Sequence, residues 1–216
     1  MCRVSTARER MIDAAERICA ERGLAAMSLR EVQAASRQRN KSAAQYHFGS
    51  RDGLIEAVVE TRMAPINEHR LRLLAELDED PSVRSLVEVL VRPLAEATLG
   101  RPDSRWARFL FQSVADPALV SVVRRSFNAS GYRTTHDRLL DSLDHLPQEL
   151  RDHRLGQVVG LTVMTLAVAD RAAAAGEPAP LDIETRCADL IEVCCGLLLA
   201  PAPATEAAPQ DQEAAC

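Results

Sequence analysis

The stretch SLREVQAASRQRNKSAAQYHFGSRDG, Ser28 to Gly53, holds two short helical segments separated by a polar break. Ser28-Leu29-Arg30-Glu31 has the pattern of a capping box, in which a serine oxygen accepts from an early helical N–H and a glutamate reaches back to the serine N–H. Leu29, Val32 and Ala35 then share one face of a short helix. Ser36 to Arg39 has no apolar residue and reads as a turn. Asn40 is suited to cap a second helix, Lys41 to His47. Gly49 stops that helix, because glycine tolerates positive φ. Ser50 caps the next, with Asp52 in its first turn, where the helix dipole favours an acid.

Two short helices joined by a tight turn make a helix-turn-helix. The second is rich in small residues, Ser42, Ala43 and Ala44, which suits close approach to a groove. Arg39, Lys41, Gln45, Tyr46 and His47 flank them. Arginine and lysine read guanine, glutamine reads adenine, and tyrosine or serine holds phosphate. Arg39, Lys41 and Gln45 are therefore the candidate base contacts, and Ser28, Arg30, Ser42, Tyr46, His47 and Arg51 the candidate backbone contacts. The competing reading is a solvated polar turn in an ordinary helical bundle, but caps, turn and donors all point the same way.

This region resembles the DNA-binding domain of the tetracycline-repressor (TetR) family of bacterial transcription regulators. The resemblance rests on Ala14-Ala15, Glu21-Arg22-Gly23, Ser28 with Arg30-Glu31, and above all Tyr46-His47-Phe48-Gly49-Ser50-Arg51-Asp52-Gly53-Leu54. It covers about the first 60 residues. It implies an all-α homodimer with an N-terminal three-helix reader and a C-terminal helical body that senses a ligand and dimerises. It also implies that Tyr46 and Arg51 hold phosphate. The turn departs from the family pattern: Gln38-Arg39-Asn40 stands where the family often has glycine, a β-branched residue and a hydroxyl residue. The fold tolerates that change; the usual base preference is not expected to follow.

Charge distribution agrees. The 216 residues carry a net charge of −5, from 26 basic and 31 acidic side chains. Ten of the basic residues but only five of the acidic ones fall between Met1 and Arg51, leaving a basic head on an acidic body. That is the pattern expected when one end meets phosphate. Apolar residues are 47% and aromatics only 3%, which favours helices packed by alanine, leucine and valine. No uncharged apolar run reaches membrane length and the N-terminus is charged throughout, so no membrane partner is expected and cytoplasm is the default location. Cys2, Cys19, Cys187, Cys194, Cys195 and Cys216 form no C-x-x-C pair and have no histidine at ligand spacing, so neither metal nor cofactor is expected. Cys187, Cys194 and Cys195 read as small core or interface residues, with redox sensing at Cys194 or Cys195 as the sharper alternative.

The pattern predicts a reader over 1–50, a body over 51–200 and a disordered Ala/Pro/Gln/Glu-rich tail over 201–216. Helix 1 spans about Ser5 to Arg22. The helix after Ser50 reaches Leu77, with Pro65 expected to kink or break it near Thr61 to Met63. Asp80-Pro81 opens a helix to Leu99 that contains Pro93, and two proline-interrupted helices in a row leave a gap in which a ligand would fit. Trp106, Phe109 and Phe111 bring three of the seven aromatics to one short helix. With Arg92 and Met164 they are the candidate pocket wall; plain core packing is the simpler reading. A helix from Pro117 to Leu146, weak at Ser130-Gly131, is followed by two strongly apolar helices, Pro147–Ala175 and one capped by Asp182. These last two are the expected dimer face, as a four-helix bundle between two chains.

The function expected is a ligand-responsive regulator, of the repressing kind, binding a palindromic operator as a dimer with a small-molecule effector. The sequence offers no nucleophile–base arrangement, P-loop, dinucleotide fingerprint or metal motif in favour of an enzyme. A scaffold protein, or a regulator without effector, is the remaining alternative.

Overall fold

The computed structural model describes residues 6–37, 40, 42–99, 101, 104–119 and 130–203. The described residues form nine α-helices and no strand. They are α1 (Ala7–Arg22), α2 (Leu29–Ala35), α3 (Ala43–Phe48), α4 (Arg51–Ala75), α5 (Val83–Leu99), α6 (Trp106–Ala115), α7 (Ser130–Asp141), α8 (Gln148–Ala174) and α9 (Ile183–Leu199). A 3₁₀ turn, Leu24–Ala26, links α1 to α2.

The first three helices close around one apolar seam. Met11, Ala14, Ala15, Ile18 and Cys19 of α1 are buried, with Val32 of α2, Ala43, Ala44 and Phe48 of α3, and Leu54, Ile55 and Val58 of α4. The caps fall differently from expectation. The full capping box belongs to α1: Thr6 Oγ1 accepts from Glu9 N–H and the Glu9 carboxylate accepts from Thr6 N–H. At α2 only half of it forms. Ser28 Oγ accepts from Glu31 N–H at 3.2 Å, while the Glu31 carboxylate takes Arg22 at 3.0 Å instead of turning back.

Behind this head, α4 runs unbroken through Pro65 and ends two residues before the expected Leu77. The missing proline N–H is tolerated without a break, and Thr61, four residues earlier, donates its hydroxyl to the Ala57 carbonyl at 2.7 Å. Likewise α5 continues through Pro93. It starts at Val83 after Ser82, whose hydroxyl accepts from Ser85 N–H, and not at Asp80-Pro81. Residues 117–119 form a turn, 120–129 lie outside the described residues, and α7 stops at Asp141, short of Leu146. Of the expected tail, 201–203 are non-helical and 204–216 lie outside the described residues.

The body packs α9 against α5 and α8, α6 against α8, and α7 into the groove of α4 and α5. Its helix ends are tied by arginines. Arg154 of α8 donates to the carbonyls of Leu198, Ala200 and Pro201, capping α9 where its dipole is negative. α8 is long and apolar enough to cross a membrane, yet it buries Arg154 and Asp170 against the bundle. Burial pushes the thiols of Cys19 and Cys195 up, to about 12 and about 11, and that of Cys194 up as well. Protonated, buried thiols are poor sensors, so the core reading of these cysteines is the one the packing favours.

One residue in the body runs against the rest. Arg70 is 1% exposed and has no carboxylate partner among the described residues. It donates to Asn67 Oδ1 at 3.0 Å and Leu90 O at 2.9 Å, lies 5.5 Å from the Tyr132 ring centroid, and leaves its Nε and the Asn67 amide nitrogen unpartnered. Burial pulls its guanidinium down to about 10. Replacing such a polar pair together by apolar residues of like volume stabilises by about 1–4 kcal/mol where packing is kept. Arg70→Met with Asn67→Leu is expected to raise the urea midpoint accordingly. Arg70→Met alone gains less, because it strands Asn67.

Candidate nucleic-acid interface and the cleft behind it

α3 has two opposed faces. Ala43, Ala44 and Phe48 point into the head, and Ser42, Gln45, Tyr46 and His47 point out. Tyr46 is 84% exposed, the most open of the large apolar side chains among the described residues. Its ring meets that of His47 edge-on at 5.3 Å. The small alanines therefore serve close packing of α3 onto α1 and α2, not approach to a groove. Their role in the sequence reading is corrected by their burial. The helix begins at Ala43, later than predicted. Asn40 still turns the chain: its Oδ1 accepts from Ser42 N–H at 3.0 Å and its carbonyl from Ala43 N–H at 3.2 Å. Gln33 of α2 reaches across and accepts from Ala44 N–H at 3.3 Å, pinning the two helices of the motif.

The exit from α3 is equally determined. Gly49 sits at φ 69° and ends the helix with its N–H on Gln45 O. Gln45 returns its side-chain amide to Gly49 O at 2.6 Å, so its present rotamer is folded back along the helix. Ser50 Oγ accepts from Gly53 N–H at 3.0 Å as cap of α4. A Cβ on Gly53 would stand 2.2 Å from the Phe48 carbonyl oxygen, so the α3–α4 corner closes only over a bare Cα.

Other candidates are placed as follows. Ser28 is exposed and caps α2; Arg30 is exposed on it. Arg51 is half-buried, donating from Nε to Met27 O at 3.0 Å and from Nη2 to Leu24 O at 2.9 Å. Those bonds make it a brace between α4 and the α1–α2 link, leaving Nη1 for any outside contact. Arg39 and Lys41 lie outside the described residues. Arg37 carries no signal in the sequence, yet it is exposed in the turn at φ 55°, a conformation that ordinary side chains adopt only under strain.

Behind the head lies an open cleft of about 710 Å³ where α1 meets α4, α5 and the start of α6. Pro65 and Pro93 both line it, as do Ile66, Ala97 and Trp106. Its floor is a clamp across the head and body: Arg62 donates to Glu16 and to Asp13 of α1, each at 2.6 Å. Glu16 Oε1 also accepts from Arg105 N–H at 3.3 Å. Farther along, α6 straps the same end of α1. Gln112 donates to Cys19 O and accepts from Leu24 N–H, both at 2.9 Å, and Arg108 joins Ala20 O to Asp170 of α8.

No protein-family model and no curated protein matches the chain. Solved structures do. A fatty acid degradation regulator, FadR from Bacillus halodurans, superposes with a TM-score of 0.63 at 14% identity, covering 91% of this chain and 96% of its own. A TetR-like transcriptional regulator from Rhodococcus sp. RHA1 gives 0.61 at 19%, covering 92% and 100%. AmtR from Mycobacterium smegmatis gives 0.51 at 17%, covering 90% and 96%. The chain has the TetR-regulator fold.

Within this TetR-like body, the five residues expected to line a pocket separate. Trp106 lines the cleft. Phe109 does not: it is fully buried in the core and stacks on Trp106 at 5.9 Å. Phe111 and Met164 are turned to solvent, 40% and 46% exposed, because α6 and α8 direct other faces inward. Arg92 is committed to acids. It donates to Glu88 at 2.8 Å and forks onto both oxygens of Glu184 at 3.0 Å, tying α5 to α9 and holding its own pKa above the usual value. Core packing, solvent exposure and ion pairing, not a pocket wall, describe these four.

Proposed function

We propose that the protein is a transcription regulator that reads operator DNA as a homodimer, with a reader over 1–50 and a dimerising, effector-responsive body over 51–200. The observation that carries this is the two-faced α3: Gln45, Tyr46 and His47 are exposed on a helix whose opposite side is locked into the head, and Gln45 has only to leave Gly49 O to reach outward. The fold likeness and the basic head support it. Ser28, Arg30, Ser42, Tyr46 and His47 are assigned to the DNA backbone, and Arg39, Lys41 and Gln45 to bases. Arg51 positions the reader and offers at most one nitrogen to phosphate. Repression of a palindromic operator in the cytoplasm is the form this takes, and no catalytic step is assigned. Among the described residues, no three His, Cys, Asp or Glu side chains gather as a metal site.

The dimer face is assigned to α8 and α9. Met164 and Val168 of α8 and Val193 of α9 are exposed apolar residues in the protomer, and Gly156, Gly160 and Gly196 have open space beside them. Small residues interleaved with apolar ones let two copies of each helix pack closely about a two-fold axis. Two readers related by that axis fit successive major grooves. An effector acts only if it prefers the spacing that DNA does not.

Selection of genomic fragments bound by the full-length protein, followed by titration at several salt concentrations, tests the reading. Saturable binding whose affinity falls steeply with salt is expected. Gln45→Ala then relaxes the preferred base by about 1–3 kcal/mol while leaving random DNA almost unchanged. Tyr46→Ala weakens all sequences alike. Binding that is weak, unsaturable and indifferent to both substitutions would instead leave a scaffold that keeps the fold.

A further inference from the structure

We propose that the cleft between α1, α4, α5 and α6 is a binding site for a small organic anion, a carboxylate with an apolar body, and that its occupant acts on the clamp between head and body. The charge balance of the lining points to an anion. Of its two carboxylates, Glu16 is held by Arg62 and the Arg105 N–H, while Glu96 lies 3.6 Å from His69 and 3.8 Å from Arg92, outside hydrogen-bond reach of both. Arg72 and Arg101 line the same cleft with no acidic partner among the described residues. Among the described residues the lining thus carries three arginines against two carboxylates, an excess of positive charge.

A second observation is independent of charge. Trp106 is 3% exposed, lines the cleft, and its indole Nε1 is buried without a hydrogen-bond partner. Buried N–H groups of native proteins are nearly always paired. That nitrogen is closed to solvent as the protein stands, so a carboxylate or carbonyl oxygen becomes its acceptor only when the indole or a neighbour shifts on binding. Pro65, Ile66, Pro93 and Ala97 give the remaining wall an apolar surface, and about 710 Å³ lies within the range of small-molecule sites. The occupant is therefore amphipathic, with its anionic end toward the arginines and its body over the prolines.

The position gives binding a consequence. Glu16 belongs to the head and Arg62 to α4, and their 2.6 Å contact forms the floor of the cleft. A ligand carboxylate competes with Glu16 for Arg62 and loosens α1 from α4. This consequence rests on the regulator reading above; binding itself does not.

Trp106 is the chain's single tryptophan, so its fluorescence reports the cleft directly. Full-length protein without DNA is titrated with butanoate, hexanoate and benzoate and with their neutral amides, in parallel with calorimetry. Carboxylates are expected to give a saturable change and to bind about tenfold more tightly than the amides, as charge-assisted contacts require. Arg72→Ala with Arg101→Ala, at exposed positions that leave the core intact, is expected to abolish that preference. Trp106→Phe, followed by calorimetry, is expected to weaken carboxylate binding several-fold with the melting temperature as control. Absence of saturation across the panel, equal binding of acids and amides, or unchanged binding in the double arginine variant overturns the site. Binding that leaves affinity for the selected operator unchanged overturns its action on the clamp alone. Failure to bind any DNA bears on the regulator reading and not on the cleft.

Discussion

Replacing Gly53 with alanine will destabilise the protein by about 2–3 kcal/mol, although glycine-to-alanine inside a helix ordinarily stabilises by up to about 1 kcal/mol. The sign reverses because the added Cβ would lie 2.2 Å from the Phe48 carbonyl oxygen, and that oxygen belongs to backbone, which no rotamer change can move aside. The corner between α3 and α4 must open. Phe48 then lifts from the head's core, and the Ser50 cap on Gly53 N–H is lost or strained. On the proposed function, affinity for DNA is expected to fall further than stability alone explains, because α3 is displaced relative to its counterpart in the proposed dimer. Urea denaturation gives the first quantity and fluorescence anisotropy on selected DNA the second. An alanine variant as stable as the parent would mean that the corner is held open by something other than this contact. Gly49→Ser makes a useful contrast. A Cβ there would meet nothing within 4 Å, but the residue sits at φ 69°, so the cost is conformational and smaller, about 1 kcal/mol.

That pair of glycines also shows what can be read from the chain alone. Gly49 is legible as a stop because the requirement is local. Gly53 stands out only as part of a family-like motif, since the reason for it is a carbonyl five residues away across a corner. The same division holds elsewhere. The periodic stripes of α1, α8 and α9 locate their helices closely, because a 3.6-residue repeat is a local signal. The stop of α4 at Ala75 and the start of α5 at Val83 differ from the expected Leu77 and Asp80 by two or three residues, where caps compete. Pro65 and Pro93 do stand out, and of the kink or break expected at Pro65 the break does not occur; α5 likewise continues through Pro93. A long helix packed against its neighbours tolerates the loss of one hydrogen bond.

For the site, residue type picks out side chains that are exposed on α3, and it is a poor guide in the body. Gln45, Tyr46 and His47 are all exposed, with Gln45 folded back onto Gly49 O. Arg92, Phe109, Phe111 and Met164 suggest themselves because arginine and large apolar side chains suit pockets, yet three-dimensional pairing decides whether they are free. Arg92 has Glu88 and Glu184, and nothing in the spacing of residues 92 and 184 announces that contact. Conversely, Glu16, Arg62 and Gln112 hold head to body through contacts separated by 46 to 93 positions. The resemblance implies a phosphate role for Arg51; its two bonds to Leu24 O and Met27 O show a bracing role that the motif alone does not reveal.

If the proposed dimer forms through α8 and α9, Met164→Glu is expected to convert it to monomer while leaving each protomer folded. Met164 is 46% exposed in the protomer, so a carboxylate there meets water and the fold loses little. In the proposed interface the same position lies on the side of α8 facing the two-fold axis, with Val168 and the open Gly160 on either hand. Closing the interface would then bury two uncompensated charges, one from each copy, and a buried unpaired charge costs about 3–5 kcal/mol. DNA binding should fall with it. Two readers on one rigid dimer gain about 10²–10⁴ in affinity over one, because the second contact is intramolecular. The monomer forfeits that gain, so binding to a two-half-site operator should drop by about two orders of magnitude and approach the affinity for a single half-site. Leu71→Glu provides the control, since Leu71 is similarly exposed, at 41%, but lies on α4. Light scattering after size exclusion reads the mass, and anisotropy on whole and half operators reads the affinity. If Met164→Glu remains dimeric, or if Leu71→Glu dissociates instead, the pairing face lies elsewhere than on α8 and α9, and the spacing of the two reading helices has to be rebuilt from that other face.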